Sequence, residues 1–192
     1  WSNDDPVTAD EFVFAFQRLQ NPETAAEYAS MLYVVKNAEA INQGKAKPEE
    51  IGVKAIDAST LEVTLNAPTP YFLEMLTHQA TYPVHKATVE KFGNDWTKPG
   101  NIVSNGAYNL AEFVPNDHIK LVKNSNFYDA ANVKIDTVNY IPNEDRAAAV
   151  KRFEAGDLYS HEDMPSEQLA DIRAKFGDQV RIGPYLGTYY YT

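Results

Sequence analysis

His161, Glu162 and Asp163 stand side by side, and an imidazole next to two carboxylates is raw material for a metal site or an acid–base pair. Their spacing argues against both. Neighbouring side chains on an extended chain point to opposite faces, so the three cannot converge without a tight bend, and no second ligand group of the HExxH kind occurs. A hydrolase built on Glu162 would need another carboxylate facing the same cleft at a defined distance. His78, His85 and His118 are scattered, with no Ser, Cys or Asp spaced for a triad and no Gly-rich phosphate loop; they read as surface or capping residues. What remains is binding chemistry. A phenol offers a flat apolar face and one polar tip, and Tyr28 and the run Tyr189-Tyr190-Tyr191 supply several. Taken alone, Tyr28 reads as a half-buried helix aromatic, the tyrosine run is as readily a sheet former, and a solvated loop is the alternative for His161-Glu162-Asp163.

Composition narrows the partners. The 192 residues carry a net charge of -10, which excludes phosphate backbones, because nucleic-acid binding depends on clustered Lys and Arg. With 44% hydrophobic and 23% charged residues the chain has the makeup of a folded protein. No apolar run approaches the roughly 18 to 20 residues needed to cross a bilayer. The first residues have neither the basic start nor the apolar stretch of a secretion signal, so a soluble chain is expected. The absence of cysteine removes disulfides and thiolate chemistry but does not fix the compartment.

The elements that must position these residues read as mixed α/β. Thr8 and Glu11 form a capping box ahead of a helix to about Leu19, with Phe12, Val13, Phe16 and Leu19 on its inner face. Asn21-Pro22 stops it. A second helix is expected from Thr24 to about Leu32 and a third from Asn37 to Asn42, closed by Gly44. From Gly52 the period falls to two, which predicts a hairpin with strands at 52–57 and 60–66 around Asp57-Ala58-Ser59. Short helices follow at Tyr71–Leu76 and Ala87–Phe92, with a domain crossover near residue 85. Strands are expected at 107–114 and 118–123 around Pro115-Asn116-Asp117, then at 135–141. Asn143 is placed as the cap of a helix with Ala147, Ala148, Val150 and Phe153 inward, and Ser166–Phe176 as the last helix. Val180 with Ile182, and Leu186 to Tyr191, read as two further strands, Tyr189 and Tyr191 facing the core and Tyr190 the opposite side.

Many stretches resemble one family. They include Trp1-Ser2-Asn3, Asp5-Pro6-Val7-Thr8-Ala9, Gln17-Arg18-Leu19, Tyr28-Ala29-Ser30, Gly52-Val53-Lys54-Ala55, Glu62-Val63-Thr64-Leu65 and Pro70-Tyr71-Phe72. Val89-Glu90-Lys91-Phe92-Gly93, Asn101-Ile102-Val103, Asn105-Gly106-Ala107-Tyr108, Met164-Pro165 and Pro184-Tyr185-Leu186 continue the series, which ends in Thr188-Tyr189-Tyr190-Tyr191. In order and spacing these are similar to the family 5 extracytoplasmic solute-binding proteins, above all those of the oligopeptide-permease type. The resemblance implies an α/β fold of the type II periplasmic-binding-protein kind. Residues 1–85 would belong to domain II and 86–192 to the middle segment of domain I, the opening segment and third domain lying outside the sequence.

It implies, too, a non-enzymatic receptor in the periplasm or another extracytoplasmic space, which captures short peptides as an added β-strand and delivers them to the membrane permease subunits of an ABC importer. No cofactor or metal is implied. Relatives of this fold that bind dipeptides, murein peptides, nickel or haem are the alternatives. Site residues carry over by position: Tyr28 matches a pocket-lining Tyr, and Gly187, Thr188 and Tyr190 match a strand bordering the cleft, Gly187 standing where some relatives have Cys. His161, Glu162 and Asp163 match a pocket stretch that is commonly uncharged Tyr or Asn, one residue shorter here. A charged pocket there favours basic peptide side chains. The isolated piece is expected to bind peptides feebly and to self-associate through uncovered apolar patches.

Overall fold

The computed structural model describes residues 1–191, which form two compact units, Trp1–Tyr140 and a second from Ile141 onward. In the first, α1 (Ala9–Gln20) begins where the sequence places it: the Glu11 carboxylate accepts the Thr8 N–H at 3.1 Å. The same carboxylate oxygen accepts the Trp1 indole N–H at 2.7 Å, so one residue caps the helix and anchors the preceding segment. Phe16 is buried, and around it gather Leu32, Val35, Ala38, Ile41, Ile51, Val53 and Phe72. Each fully buried side chain of this size contributes about 1.5–3 kcal/mol.

The helix expected over 24–32 is replaced by two short 3₁₀ turns, Pro22–Thr24 and Ala29–Leu32. Ala25 lies between them at φ +49°, a left-handed conformation that ends any right-handed helix. The buried Gln20 amide holds the break by donating to the Ala29 carbonyl at 3.0 Å. The helix α2 (Ala38–Asn42) follows, and Gly44 at φ +71° closes it.

Strands β1 (Val53–Asp57) and β2 (Thr60–Val63) pair antiparallel with a bulge at Ile56. Beyond them Lys36 is threaded between Gly52 and Thr64 by backbone bonds of 2.8 and 2.9 Å. A Cβ on Gly52 would lie 2.7 Å from Lys36 Cβ and 2.8 Å from the Thr64 carbonyl oxygen, so close backbone approach requires glycine there. The helices α3 (Phe72–Met75) and α4 (Lys86–Phe92) follow, α4 capped by the His85 imidazole, which accepts the Thr88 N–H at 3.3 Å.

A three-stranded antiparallel sheet, ordered β3-β4-β5, completes this unit: β3 (Tyr108–Val114), β4 (His118–Lys123) and β5 (Thr137–Tyr140). The positive φ of the β3–β4 turn falls on Asn116, at +63°. Gly106 does not take the positive φ its sequence context invites. Buried Asn124 fixes the entry to β3 instead, donating from its side chain to the Gly106 carbonyl and from its backbone to that of Ala107, both at 2.9 Å.

The second unit contains α5 (Arg146–Ala155) and α6 (Leu169–Phe176), the latter preceded by a 3₁₀ turn, Ser166–Gln168. Asp145, not Asn143, caps α5, its carboxylate accepting the N–H groups of Ala147 and Ala148 at 2.9 and 3.0 Å; Asn143 instead accepts the Asp145 N–H. Ala149 is fully buried, while Ala147, Ala148, Val150 and Phe153 are half-buried. Phe153 of α5 meets Phe176 of α6 edge to face at 5.4 Å. The two strands expected over 180–191 do not form among the described residues. Tyr185, Leu186, Tyr189 and Tyr191 are almost wholly exposed. A strand is defined by its ladder, so aromatic and β-branched residues extend the chain but cannot make a strand without a hydrogen-bonded neighbour.

Candidate functional site

Tyr28 sits between the two 3₁₀ turns of the first unit, about half-exposed. Its ring tilts against that of His78 at 4.8 Å. His78 in turn is held by the Ala80 N–H, which donates to Nδ1 at 3.1 Å. The capping role read for His78 is therefore present, together with a contact the sequence does not disclose: fifty residues separate the two rings. The neighbouring Tyr82 hydroxyl donates to the Thr77 carbonyl at 3.0 Å, which fixes a second phenol close in sequence to His78.

The other six candidates belong to the second unit, where the loop between α5 and α6 and the segment after α6 surround a cavity of about 630 Å³. Its inner wall is apolar: Val150 and Phe153 from α5, Ile172 and Phe176 from α6, with Met164 and Val180. The two helices meet here through Phe153 and Phe176, whose rings lie edge to face at 5.4 Å. His161 and Glu162 both line the cavity, while Asp163 turns away and accepts a hydrogen bond from Arg146 Nε at 2.7 Å. His161 is half-buried, and its Nε2 is sealed from solvent without bonding to any protein group. Glu162 is exposed at the mouth beside Ser160 and Gln179, and so is Arg181, a residue the sequence reading passed over. The mouth therefore carries both signs of charge. Neither Glu162 nor Arg181 forms an ion pair within 4.0 Å among the described residues.

Gly187, Thr188 and Tyr190 lie on the extended segment beyond the cavity. All three are exposed, Tyr190 at 74%, and none lines the cavity. The Tyr189 and Tyr191 rings meet edge to face at 6.3 Å, so they share one side of the chain, as alternation requires; both are open to solvent rather than in a core. The expectation that they face inward is corrected accordingly.

Two titratable clusters lie away from these residues. Asp5 is held below the usual carboxylate range, first by the Asn3 amide and then by His85, whose Nε2 lies 2.9 Å from it. His118 is raised, chiefly by Asp117 and then by Glu112, and Glu112 is lowered, chiefly by Lys120 and then by His118. Both clusters order a turn or a strand pair. Among the described residues no group of three or more His, Cys, Asp or Glu is arranged to hold a metal, and no helix is long and apolar enough to cross a membrane.

Residues 1–192 match the profile of the bacterial extracellular solute-binding proteins, family 5 Middle. The chain is 43% identical over its whole length to the periplasmic oligopeptide-binding protein OppA of Salmonella typhimurium, and spans 36% of that relative. Among solved structures, OppA of Burkholderia pseudomallei superposes with a TM-score of 0.93 at 41% identity, over 95% of this chain and 36% of the other. Haemophilus influenzae OppA in complex with the peptide RPPGFSPFR superposes with a TM-score of 0.87 at 40% identity, over 93% of this chain and 35% of the other.

Proposed function

Because this chain belongs to the family 5 bacterial extracellular solute-binding proteins, we propose that it forms part of an extracytoplasmic receptor that captures short peptides in extended form for an ABC importer. The observation that carries this reading is continuous similarity, 43% identity without a break in coverage, to a relative named for binding oligopeptides. A solved relative of the same type in complex with RPPGFSPFR supports a peptide as the ligand. Recognition of main-chain N–H and C=O groups as an added strand tolerates sequence, because every peptide presents the same groups. Specificity then falls to side-chain pockets.

Residues 1–85 are assigned to one lobe of the receptor and 86–192 to the middle segment of the other, and closure of the lobes is the working step. Tyr28, His161, Glu162, Gly187, Thr188 and Tyr190 are assigned to the ligand, and Asp163 to the same pocket stretch, its orientation held by Arg146. The peptide leaves unaltered, and permease subunits in the membrane receive it. For the 192-residue chain alone we propose weak peptide binding and self-association, supported by the exposed Tyr185, Leu186, Tyr189, Tyr190 and Tyr191. Light scattering that finds a clean monomer at high concentration refutes the self-association.

The test of function is calorimetry of the full-length receptor against di-, tri- and tetrapeptides, with nickel and haem as competing ligand classes. Tight, saturable binding of tri- or tetrapeptides is expected. Heat from nickel or haem alone, with none from any peptide, overturns the reading.

A further inference from the structure

Tyr28 is fixed at its backbone but not, by bonds of its own, at its ring. It sits at φ -96° and ψ 14°, in the sparsely populated bridge region, and its carbonyl accepts the Met31 N–H at 3.1 Å. Its side chain makes no capping bond at the head of the Ala29–Leu32 turn, and 53% of the residue is exposed. A half-exposed phenol held in that way alone exchanges among several rotamers. The His78 ring stands against it at 4.8 Å with a tilt of 46°, and His78 is tied far more firmly. Its N–H donates to the Met75 carbonyl at 3.1 Å, and its carbonyl accepts the N–H and the hydroxyl of buried Thr81 at 3.0 and 2.8 Å. The Ala80 N–H donates to Nδ1 at 3.1 Å. Backbone and ring are both anchored at the head of the Gln79–Thr81 turn, so the imidazole is the fixed wall and the phenol the movable partner.

Resting on the assignment of Tyr28 to the ligand of a peptide receptor, we propose that His78 is a positioning residue, whose ring holds the Tyr28 phenol in one orientation before the peptide arrives. One side of the phenol is taken by the imidazole, which leaves the other side and the hydroxyl for a ligand side chain. Immobilising a side chain at the moment of binding lowers affinity, and a wall that immobilises it beforehand removes that loss. His78 therefore acts on the peptide only through Tyr28, and its effect vanishes when the phenol is absent.

The experiment measures the affinity of the full-length receptor for trileucine, which offers a side chain at every position, in a double-mutant cycle. Two substitutions separate the ring from the cap: His78→Asn keeps an acceptor for the Ala80 N–H but has no ring, and His78→Phe keeps a ring but has no acceptor. His78→Asn is expected to weaken binding roughly three- to tenfold, the size of one side chain immobilised on binding, and His78→Phe is expected to weaken it less. With Tyr28→Ala already in place, either substitution should change affinity by less than about twofold. If His78→Asn fails to fold, His78→Leu, which also lacks a planar ring, replaces it. Unchanged affinity in His78→Asn, a larger loss in His78→Phe, or an equal loss with and without Tyr28 overturns this inference and leaves the receptor reading standing. So does a Tyr28→Ala receptor that binds as tightly as the parent, which also removes Tyr28 from the site. A parent receptor that binds no tripeptide overturns both readings.

Discussion

Two aromatic stretches of similar density meet opposite fates. On α1, Phe12, Phe14 and Phe16 fall within five residues of a capped helix, and Phe16 reaches a core where it is 2% exposed. Between 185 and 191, four tyrosines and a leucine occur among seven residues, yet Leu186 and Tyr189 stand almost entirely in solvent. The difference lies in where the backbone partners come from. A helix satisfies its own N–H and C=O groups, so an amphipathic pattern can fold locally and then find a core. A strand borrows its hydrogen bonds, so the same apolar content produces only an extended chain until another strand meets it. A segment of that kind is suited to accept a neighbour, whether a sheet or a ligand's main chain.

Substitutions sharpen this contrast. Phe16→Ala should cost about 3–5 kcal/mol through lost burial and a residual cavity, whereas Tyr189→Ser should stay within about 0.5 kcal/mol, both by denaturant unfolding. Equal effects would erase the distinction between the two stretches. Gly52→Ala comes next: with Lys36 Cβ at 2.7 Å and the Thr64 oxygen at 2.8 Å from the new methyl, a loss of about 1–3 kcal/mol is expected, visible as a lowered Tm. Asp145→Ala removes the carboxylate that caps α5 and should destabilise the second unit by about 0.5–2 kcal/mol, while Asn143→Ala should do less. Circular dichroism melts of the pair decide which residue is the cap.

The smallest effect is a pH dependence of the β3–β4 hairpin. The folded pKa of His118 lies above its ordinary 6.5, so its contribution is complete below 6.5 and lost as pH rises through the raised value. That of Glu112 lies below its ordinary 4.5, so its contribution is complete above 4.5 and lost as pH falls through the lowered value. Hydrogen-exchange protection at β3 and β4, taken relative to the intrinsic amide exchange rate at each pH, should be highest between these limits, and His118→Gln should remove the loss on the alkaline side only. A flat profile in the parent chain would show that exposed pairs at this site are screened to nothing.

How far the sequence discloses these features follows the same division. Local signals read well: the Thr8–Glu11 start of α1, the hairpins at 53–63 and 108–123, and the stop at Gly44 all carry their cause within a few residues. Ala25 in a left-handed conformation does not, because alanine has no preference for positive φ and the break is held by Gln20 from the preceding helix. Asp145 and Asn143 are both good caps, and only the backbone path selects between them. At the candidate site, alternation separates His161, Glu162 and Asp163 but does not say which of them turns to Arg146. Arg181 and His78 reach their places through contacts remote in sequence, which no spacing rule reports.

The central claim is that the parent of this chain holds a short peptide and returns it intact. Mass spectrometry of the ligand released from the full-length receptor, after incubation with a defined tetrapeptide and removal of the excess, tests it most directly. One intact peptide per receptor is the result expected; cleavage products, or a receptor that emerges without peptide, would contradict it.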